Sequence, residues 1–356
     1  MSSAPPAAPR RGGAGSGLRA WFDRHRPEIL LIALSITLPE LLSGSTPVVA
    51  LLDPLAVLTL VGLYGMGALV IREVARRWGR GWGAILPLGL AYGVVEEGIA
   101  TRTWVDPRSK PVGLLGSYGH LAGVSWDWAA VLTVFHAVYS IALPILLVGL
   151  AFHETRERDF LSNRGLGTAF VLYLATVTFD FFAIDPGYFE GYAVLAFLIG
   201  LALALAAIAR ELPRGLLRAS TEVPSRSPRF FLLLGGLFAL VWTLFYLVVP
   251  RVTPFFEITI VGEAVNALVV LWVLRRTLGR GGNELHQTYL AAGLLLWYIP
   301  WNLLLIFGGD YLALPVLVAV YVLLYLIARN WSARDIARMG LSGGPAPPPV
   351  SGDPSP

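Results

Sequence analysis

Two adjacent glutamates, Glu96 and Glu97, stand near the end of an apolar run, and His136 lies inside the next run, 40 residues after Glu96. Carboxylates and imidazoles at membrane depth can take a proton from water, bind a cation or pass protons on. Each is costly in hydrocarbon unless it has a partner, a cavity or a task. The same kinds of group recur in other runs, as Glu40, Asp180, Glu263, Asn266 and Asn302. At about 1.5 Å per residue, Glu96 lies roughly 9 Å below one surface of the hydrocarbon core and His136 about 12 Å below it. Glu40, Asp180, Glu263 and Asn302 fall between about 9 and 12 Å. Six runs thus contribute polar groups to one layer. Five acids, Glu40, Glu96, Glu97, Asp180 and Glu263, face two cationic candidates, Arg102 and His136, so either several acids carry protons or a cation binds among them. The plainer reading is that these groups are hydrogen-bonding glue between helices. With no cysteine in the chain, any metal must be held by histidine, carboxylate or amide.

The segment from Gly93 to Arg102, with its Glu-Glu pair and following arginine, resembles the first motif of the CAAX-processing and bacteriocin-protection family of intramembrane proteases. The resemblance implies that Glu96 and Glu97 form the general-base pair, that Arg102 orients them, and that His136, next to Phe135, is the histidine of the second motif. It further implies a divalent metal such as zinc, with His136, Glu97 and Asn302 as ligands, and a glutamate-dependent metallopeptidase acting on a membrane protein or peptide. Arg102 is five residues from Glu97, about 140° round an ideal helix, so contact between them requires a bulge or a helix end near Gly98. Thr133, Tyr139 and Ser140 are spaced to tether the His136 ring. Taken by themselves, the residues equally suit an ion- or proton-coupled transporter or a non-catalytic multi-pass protein. An outward-facing polyprenyl-linked glycosyltransferase, with Glu40 or Asp53 as base, ranks behind these.

Such side chains need a scaffold, and the rest of the sequence describes one. At 56% hydrophobic and 14% charged over 356 residues, the chain is too apolar for a soluble domain of its size, so lipid is its solvent. Runs able to cross a core of about 30 Å occur ten times. They are approximately Glu28–Ser43, Val48–Ile71, Trp82–Ala100, Trp128–Phe152, Leu166–Ile184, Tyr188–Ile208, Phe230–Val249, Phe255–Leu274, Thr288–Phe307 and Tyr311–Ala328. The expected architecture is an all-α, polytopic bundle of about ten transmembrane helices, kinked where Pro39, Pro87, Pro144 and Pro300 fall inside runs.

Orientation follows from the basic residues. With a cytoplasmic amino terminus, 23 of the 27 lie in inner segments, and only Arg102, Arg108, Lys110 and Arg251 lie in outer ones. This places both termini in the cytoplasm, the polar layer in the outer half of the bilayer, and the protein in the plasma membrane. Residues 1–27 and the Pro/Gly-rich residues 329–356 read as disordered cytoplasmic tails. Residues 28–328 read as the membrane domain, with a long outer loop at 101–127. The first run has no small-residue cleavage site behind it and reads as a retained helix. The basic residues form no stripe with interleaved aromatics, which excludes nucleic acid and leaves the bilayer and a membrane-protein or peptide substrate as partners. One lysine against 26 arginines fits a GC-rich prokaryotic genome.

Overall fold

A computed structural model of the chain describes residues 14–109, 115, 117–184 and 186–338. Ten long helices follow one another. α1 covers Ala14–Ile36 and continues into a π-helical turn at Thr37–Leu41. α2 (Pro54–Arg77), α3 (Trp82–Ala100), α4 (Trp126–Ala151), α5 (Asn163–Ala183), α6 (Tyr192–Glu211), α7 (Pro228–Val252), α8 (Glu257–Thr277) and α9 (Glu284–Phe307) come next. α10 is Ala313–Arg338. By length and composition, nine of the described helices, α2 to α10, can cross a membrane. α1 is the tenth. Its last 18 residues include Arg24, Arg26, Glu28 and Glu40, which separates it from the others in composition. The only strands among the described residues are the two-residue pair β1 (His120–Leu121) and β2 (Val124–Ser125), antiparallel in the loop before α4. The all-α polytopic architecture read from the sequence is therefore the one observed.

Local chemistry sets the helix ends. Asp53 caps α2, accepting a hydrogen bond from the Leu55 amide at 2.9 Å with Pro54 in the first turn, so it is an exposed cap and not a buried base. Pro300 lacks an amide proton and crowds the carbonyl four residues before it, and α9 is accordingly broken between Leu295 and Tyr298.

Two expectations about the tails need correction. α1 starts at Ala14, so residues 14–27 are helical, steadied by the i,i+3 pairs Asp23–Arg26 and His25–Glu28 and by Arg158 reaching Glu28 at 3.3 Å. α10 runs to Arg338, past the expected boundary at 329, because Trp331 is buried and donates to the Leu150 carbonyl at 3.1 Å. The remaining tail residues, 1–13 and 339–356, lie outside the described residues, as does Lys110.

Burial separates an inner group of helices from an outer one. In α2, α3 and α4, 50%, 61% and 67% of the most apolar window is buried, against 11% to 33% for α5 to α10. The outer helices expose large apolar side chains, among them Phe182, Leu203, Leu268 and Phe307, a surface that only lipid can cover. The inner helices touch through glycine. A Cβ on Gly89 of α3 would stand 2.9 Å from the Ala137 Cα of α4. One on Gly93 would stand 3.1 Å from the Thr133 Cα and 3.3 Å from the His136 Cβ. This four-residue glycine spacing lets the two backbones close up and carries the next turn of α3, with Glu96 and Glu97, alongside His136.

Gly89→Val should therefore overpack the α3–α4 contact and cost about 1–3 kcal/mol. Gly83→Ala, at a helical glycine with nothing within 4 Å of its added Cβ, should leave stability unchanged or slightly raised. Thermal melts of the purified protein in detergent check both, and equal midpoints for the two variants would contradict this account of the contact.

Candidate functional site

Four π-helical turns interrupt α1 to α4, and each carries or adjoins a polar side chain of one cluster. They are Thr37–Leu41 with Glu40, Val61–Gly65 with Tyr64, Val94–Ala100 with Glu96 and Glu97, and His136–Ala142 with His136 and Ser140. The widened turns show in five-residue bonds, Leu42 N to Thr37 O at 3.0 Å and Thr101 N to Glu96 O at 2.9 Å. A π turn adds a residue to the helix and rotates the faces on either side of it. Such turns concentrate at functional sites. Here they aim polar groups inward from helices that are otherwise apolar.

The geometry is compact. His136 Nε2 lies 3.0 Å from Glu96 Oε2 and 3.1 Å from Glu97 Oε1. One ligand atom of each of these three residues lies within 4.8 Å of the others. Behind each of them the other polar atom is anchored. His136 Nδ1 meets the Ser140 hydroxyl at 2.8 Å. Glu97 Oε2 accepts from Thr103 and, at 3.4 Å, from Thr101. Glu96 Oε1 lies 2.8 Å from the Tyr64 hydroxyl. The same hydroxyl is 2.6 Å from Glu40 Oε1, and Thr46 donates to the other Glu40 oxygen. Tyr64 has one proton to donate and two carboxyls to bridge, so the second contact requires a proton on Glu40 or Glu96. Glu96 and His136 are buried, with aromatic side chains Tyr64, Tyr92 and Phe135 around the imidazole. The loop closes the top: Trp128 Nε1 donates to Thr103 Oγ1 at 3.0 Å, holding that threonine over Glu97.

These residues fit a divalent metal. Ligands of a tetrahedral ion with bonds of about 2.0–2.1 Å stand roughly 3.3 Å apart, close to the two contacts at His136 Nε2. The anchoring of each far atom is also what orients metal ligands, with Ser140 fixing the histidine tautomer through Nδ1. Glu96 Oε2 has the His136 ring as its polar neighbour.

The structure brings together Glu40, Glu96, Glu97 and His136 from the residues singled out in the sequence, and it places the others elsewhere. Arg102, at φ +60°, directs its guanidinium to the Tyr188 carbonyl and over the Phe181 ring, 4.9 Å from its centroid. Among the described residues no ion pair joins it to Glu96 or Glu97, although a π turn does lie just before it. The expected orienting role is instead filled by Thr101 and Thr103 on either side of it. Asn302 donates to the Leu42 carbonyl at 2.8 Å and so ties α9 to the end of α1. Its Oδ1 is buried without a hydrogen-bond partner. Asn266 donates to the Phe238 carbonyl at 3.2 Å, joining α8 to α7. Asp180 is buried on α5 with no hydrogen bond or ion pair to the cluster, and Glu263 is buried on α8. Of the three expected tethers for His136, only Ser140 reaches the ring. Thr133 and Tyr139 donate to the carbonyls of Ala129 and Leu294. Sequence reasoning missed Tyr64, Thr46, Thr101 and Thr103. A lone tyrosine in an apolar run reads as packing, and threonines flanking an arginine draw less attention than the arginine.

Residues 29–255 match the model of an uncharacterized membrane protein family, and the chain belongs to that family. No curated protein and no solved structure matches it. The resemblance to the CAAX-processing and bacteriocin-protection family is thereby overturned, since the matching family is a different one and its span includes Glu96, Glu97, Arg102 and His136. The residues explain why the likeness misled. Four residues and not three separate the Glu-Glu pair from Arg102, Leu132 stands four residues before His136, and no further histidine lies deep in a later run.

Tyr64→Phe should leave the Glu40 and Glu96 oxygens facing each other unbridged, a loss of about 1–3 kcal/mol. Glu40→Gln added to it should cost less than the sum of the two single changes, by about 0.5 kcal/mol or more. Denaturation midpoints of the two single variants and the double one measure the coupling, and strict additivity would show that Tyr64 does not bridge these carboxyls.

Proposed function

We propose that this chain is a metal-dependent intramembrane hydrolase whose centre is Glu96, Glu97 and His136. One observation carries the reading: three potential ligand atoms from two helices converge within 4.8 Å, while the opposite atom of each residue is held by a neighbour. His136 Nε2 and Glu97 Oε1 would hold a divalent ion. When bound, such an ion polarises a carbonyl and makes water more acidic. Glu96 faces the same point through Oε2, 3.0 Å from His136 Nε2, and is placed to take a proton from attacking water. Glu96 then passes that proton to the leaving amine or alkoxide, which restores it for the next turnover, while the Tyr64 hydroxyl and a protonated Glu40 hold it in place. Thr101 and Thr103 keep Glu97 from rotating away. The substrate class that suits a centre enclosed by α1 to α4 is an amide or ester bond of a membrane-embedded molecule, with a peptide segment the first to test.

The distribution of basic residues supports a site opening away from the cytoplasm in a plasma membrane, with both termini inside. The hydrogen-bonded line from Glu40 through Tyr64 to Glu96 also favours a second reading, a proton-coupled carrier, which predicts pH-dependent flux in proteoliposomes.

Purified protein should carry zinc or a similar divalent ion at about one per chain, and His136→Ala should lose it. Glu96→Gln should retain the metal but lower cleavage of a fluorogenic transmembrane peptide at least 100-fold, within the usual range for a general base. Wild-type protein without metal, or a Glu96→Gln variant as active as wild type, would defeat the proposal. Orientation can be checked separately because the chain has no cysteine. An impermeant thiol reagent applied to intact cells should label Pro107→Cys and spare Arg214→Cys; the reverse pattern would invert the topology.

A further inference from the structure

Away from that centre, a second pair of acids is buried between α4 and α8. Asp127, in the first turn of α4, is 0% exposed, and Glu263 of α8 is 1% exposed. All four of their carboxylate oxygens are buried without a hydrogen-bond partner. Thr259, one helical turn before Glu263, is 0% exposed; its hydroxyl lies beside the Asp127 carboxylate and likewise makes no hydrogen bond of acceptable geometry. Asp127 and Glu263 are close enough to feel each other's charge. The neighbouring titratable groups are Tyr118 of the loop near Asp127, which also feels Glu257, and Tyr139 of α4 near Glu263; the Asn266 amide lies beside the Glu263 carboxylate. Among the described residues, no arginine, lysine or histidine acts on either carboxylate.

Such an arrangement is far from ordinary packing. Buried polar atoms nearly always find partners, and two uncompensated buried carboxylates cost several kcal/mol each. Acids serving as helix glue would donate to or accept from the facing helix, as Asn266 does with Phe238; these do neither. Four buried carboxylate oxygens without a hydrogen bond of normal geometry, two formal negative charges, and only the neutral Thr259 hydroxyl and Asn266 amide beside them describe the preferences of a hard divalent cation.

We propose that Asp127 and Glu263 hold a hard divalent cation of the calcium class between α4 and α8, with the Thr259 hydroxyl as a neutral third donor. This site is chemically distinct from the histidine-containing centre, which suits a softer ion.

The test uses the full chain in detergent, stripped with a chelator, with its thermal midpoint followed against added calcium or zinc. Calcium should raise the midpoint in wild type and equally in His136→Ala. Asp127→Asn and Glu263→Gln should each need at least tenfold more calcium for the same rise. Should either variant fold poorly, Thr259→Val, which removes one neutral donor, should weaken the calcium response several-fold, and equilibrium dialysis with radioactive calcium gives the stoichiometry directly. No calcium response, a response unchanged in both acid variants, or stabilisation by acid alone would overturn the proposal. Loss of the zinc effect in His136→Ala with calcium binding intact separates the fate of this site from that of the proposed hydrolytic centre.

Discussion

A carboxylate inside an apolar helix bundle must be given protons or positive charge, and this requirement governs how the two ends of the molecule are built. At the arginine-rich end the solution is ionic. Arg72 pairs with Glu73 and lies over the Phe160 ring, while Glu73 also accepts from the Phe160 amide at 3.1 Å, so the connection after α4 is clamped to α2. At the other end, among the described residues, no ion pair joins an arginine to Glu40, Glu96 or Glu97. Hydroxyls from Tyr64, Thr46, Thr101 and Thr103, with a single imidazole, meet them instead. Neutral donors stabilise a carboxylate without cancelling its charge. The first arrangement fixes structure, whereas the second leaves charge available to a proton or a cation.

Backbone irregularity is what makes the second arrangement possible. An unbroken α-helix at each of the four positions would spread these side chains according to a 3.6-residue period that serves packing alone. The π turns add a residue at the depth where inward aim is needed, and Gly89 and Gly93 bring α3 and α4 close enough for contacts of 3.0 and 3.1 Å. The cost of four weakened turns is borne in the best-buried helices, where surrounding contacts can hold them. α5 to α10, with most of their apolar surface turned outward, supply the wall that keeps this interior out of lipid.

The same distinction explains what could be read from the sequence. Run lengths and hydropathy defined α3 to α9 to within four residues at each end, because hydrocarbon thickness imposes length directly, while α2 is shifted by six residues and α1 and α10 extend ten or more residues past an expected end. Glu96, Glu97, His136 and Glu40 were identifiable because charge at depth is conspicuous, and their convergence followed from similar depths on neighbouring runs. Depth says nothing about azimuth, however. Asn302 and Glu263 lie in the same layer as His136, yet Asn302 donates to the Leu42 carbonyl and Glu263 faces Asp127, and π turns, which shift the azimuth, have no sequence signature as plain as a proline. Arg102 misled for a related reason: its spacing from Glu97 assumed a helix that in fact ends at Ala100, after which a left-handed residue sends the side chain toward Tyr188.

That two groups of acids occupy the same end of the bundle raises the question of whether they form one site. Their chemistry argues for two. Around His136 the ligand atoms are mixed nitrogen and oxygen, each braced from behind, and the braces include a tyrosine able to relay a proton. Between α4 and α8 the charged donors are all oxygen, none holds a hydrogen bond of normal geometry, and their neighbours are the Thr259 hydroxyl, the Asn266 amide and two tyrosines. A braced mixed set holds one ion in one geometry, which suits chemistry on a bound molecule. An unbraced oxygen set accommodates a hard ion with loose geometric demands, which suits binding and release. α4 contributes to both, through Asp127 at its first turn and His136 more than two turns further on. An ion at Asp127 would fix the start of α4 and the loop that carries Thr103, the residue bracing Glu97, so occupancy of the outer pair has a direct mechanical route to the order of the inner one.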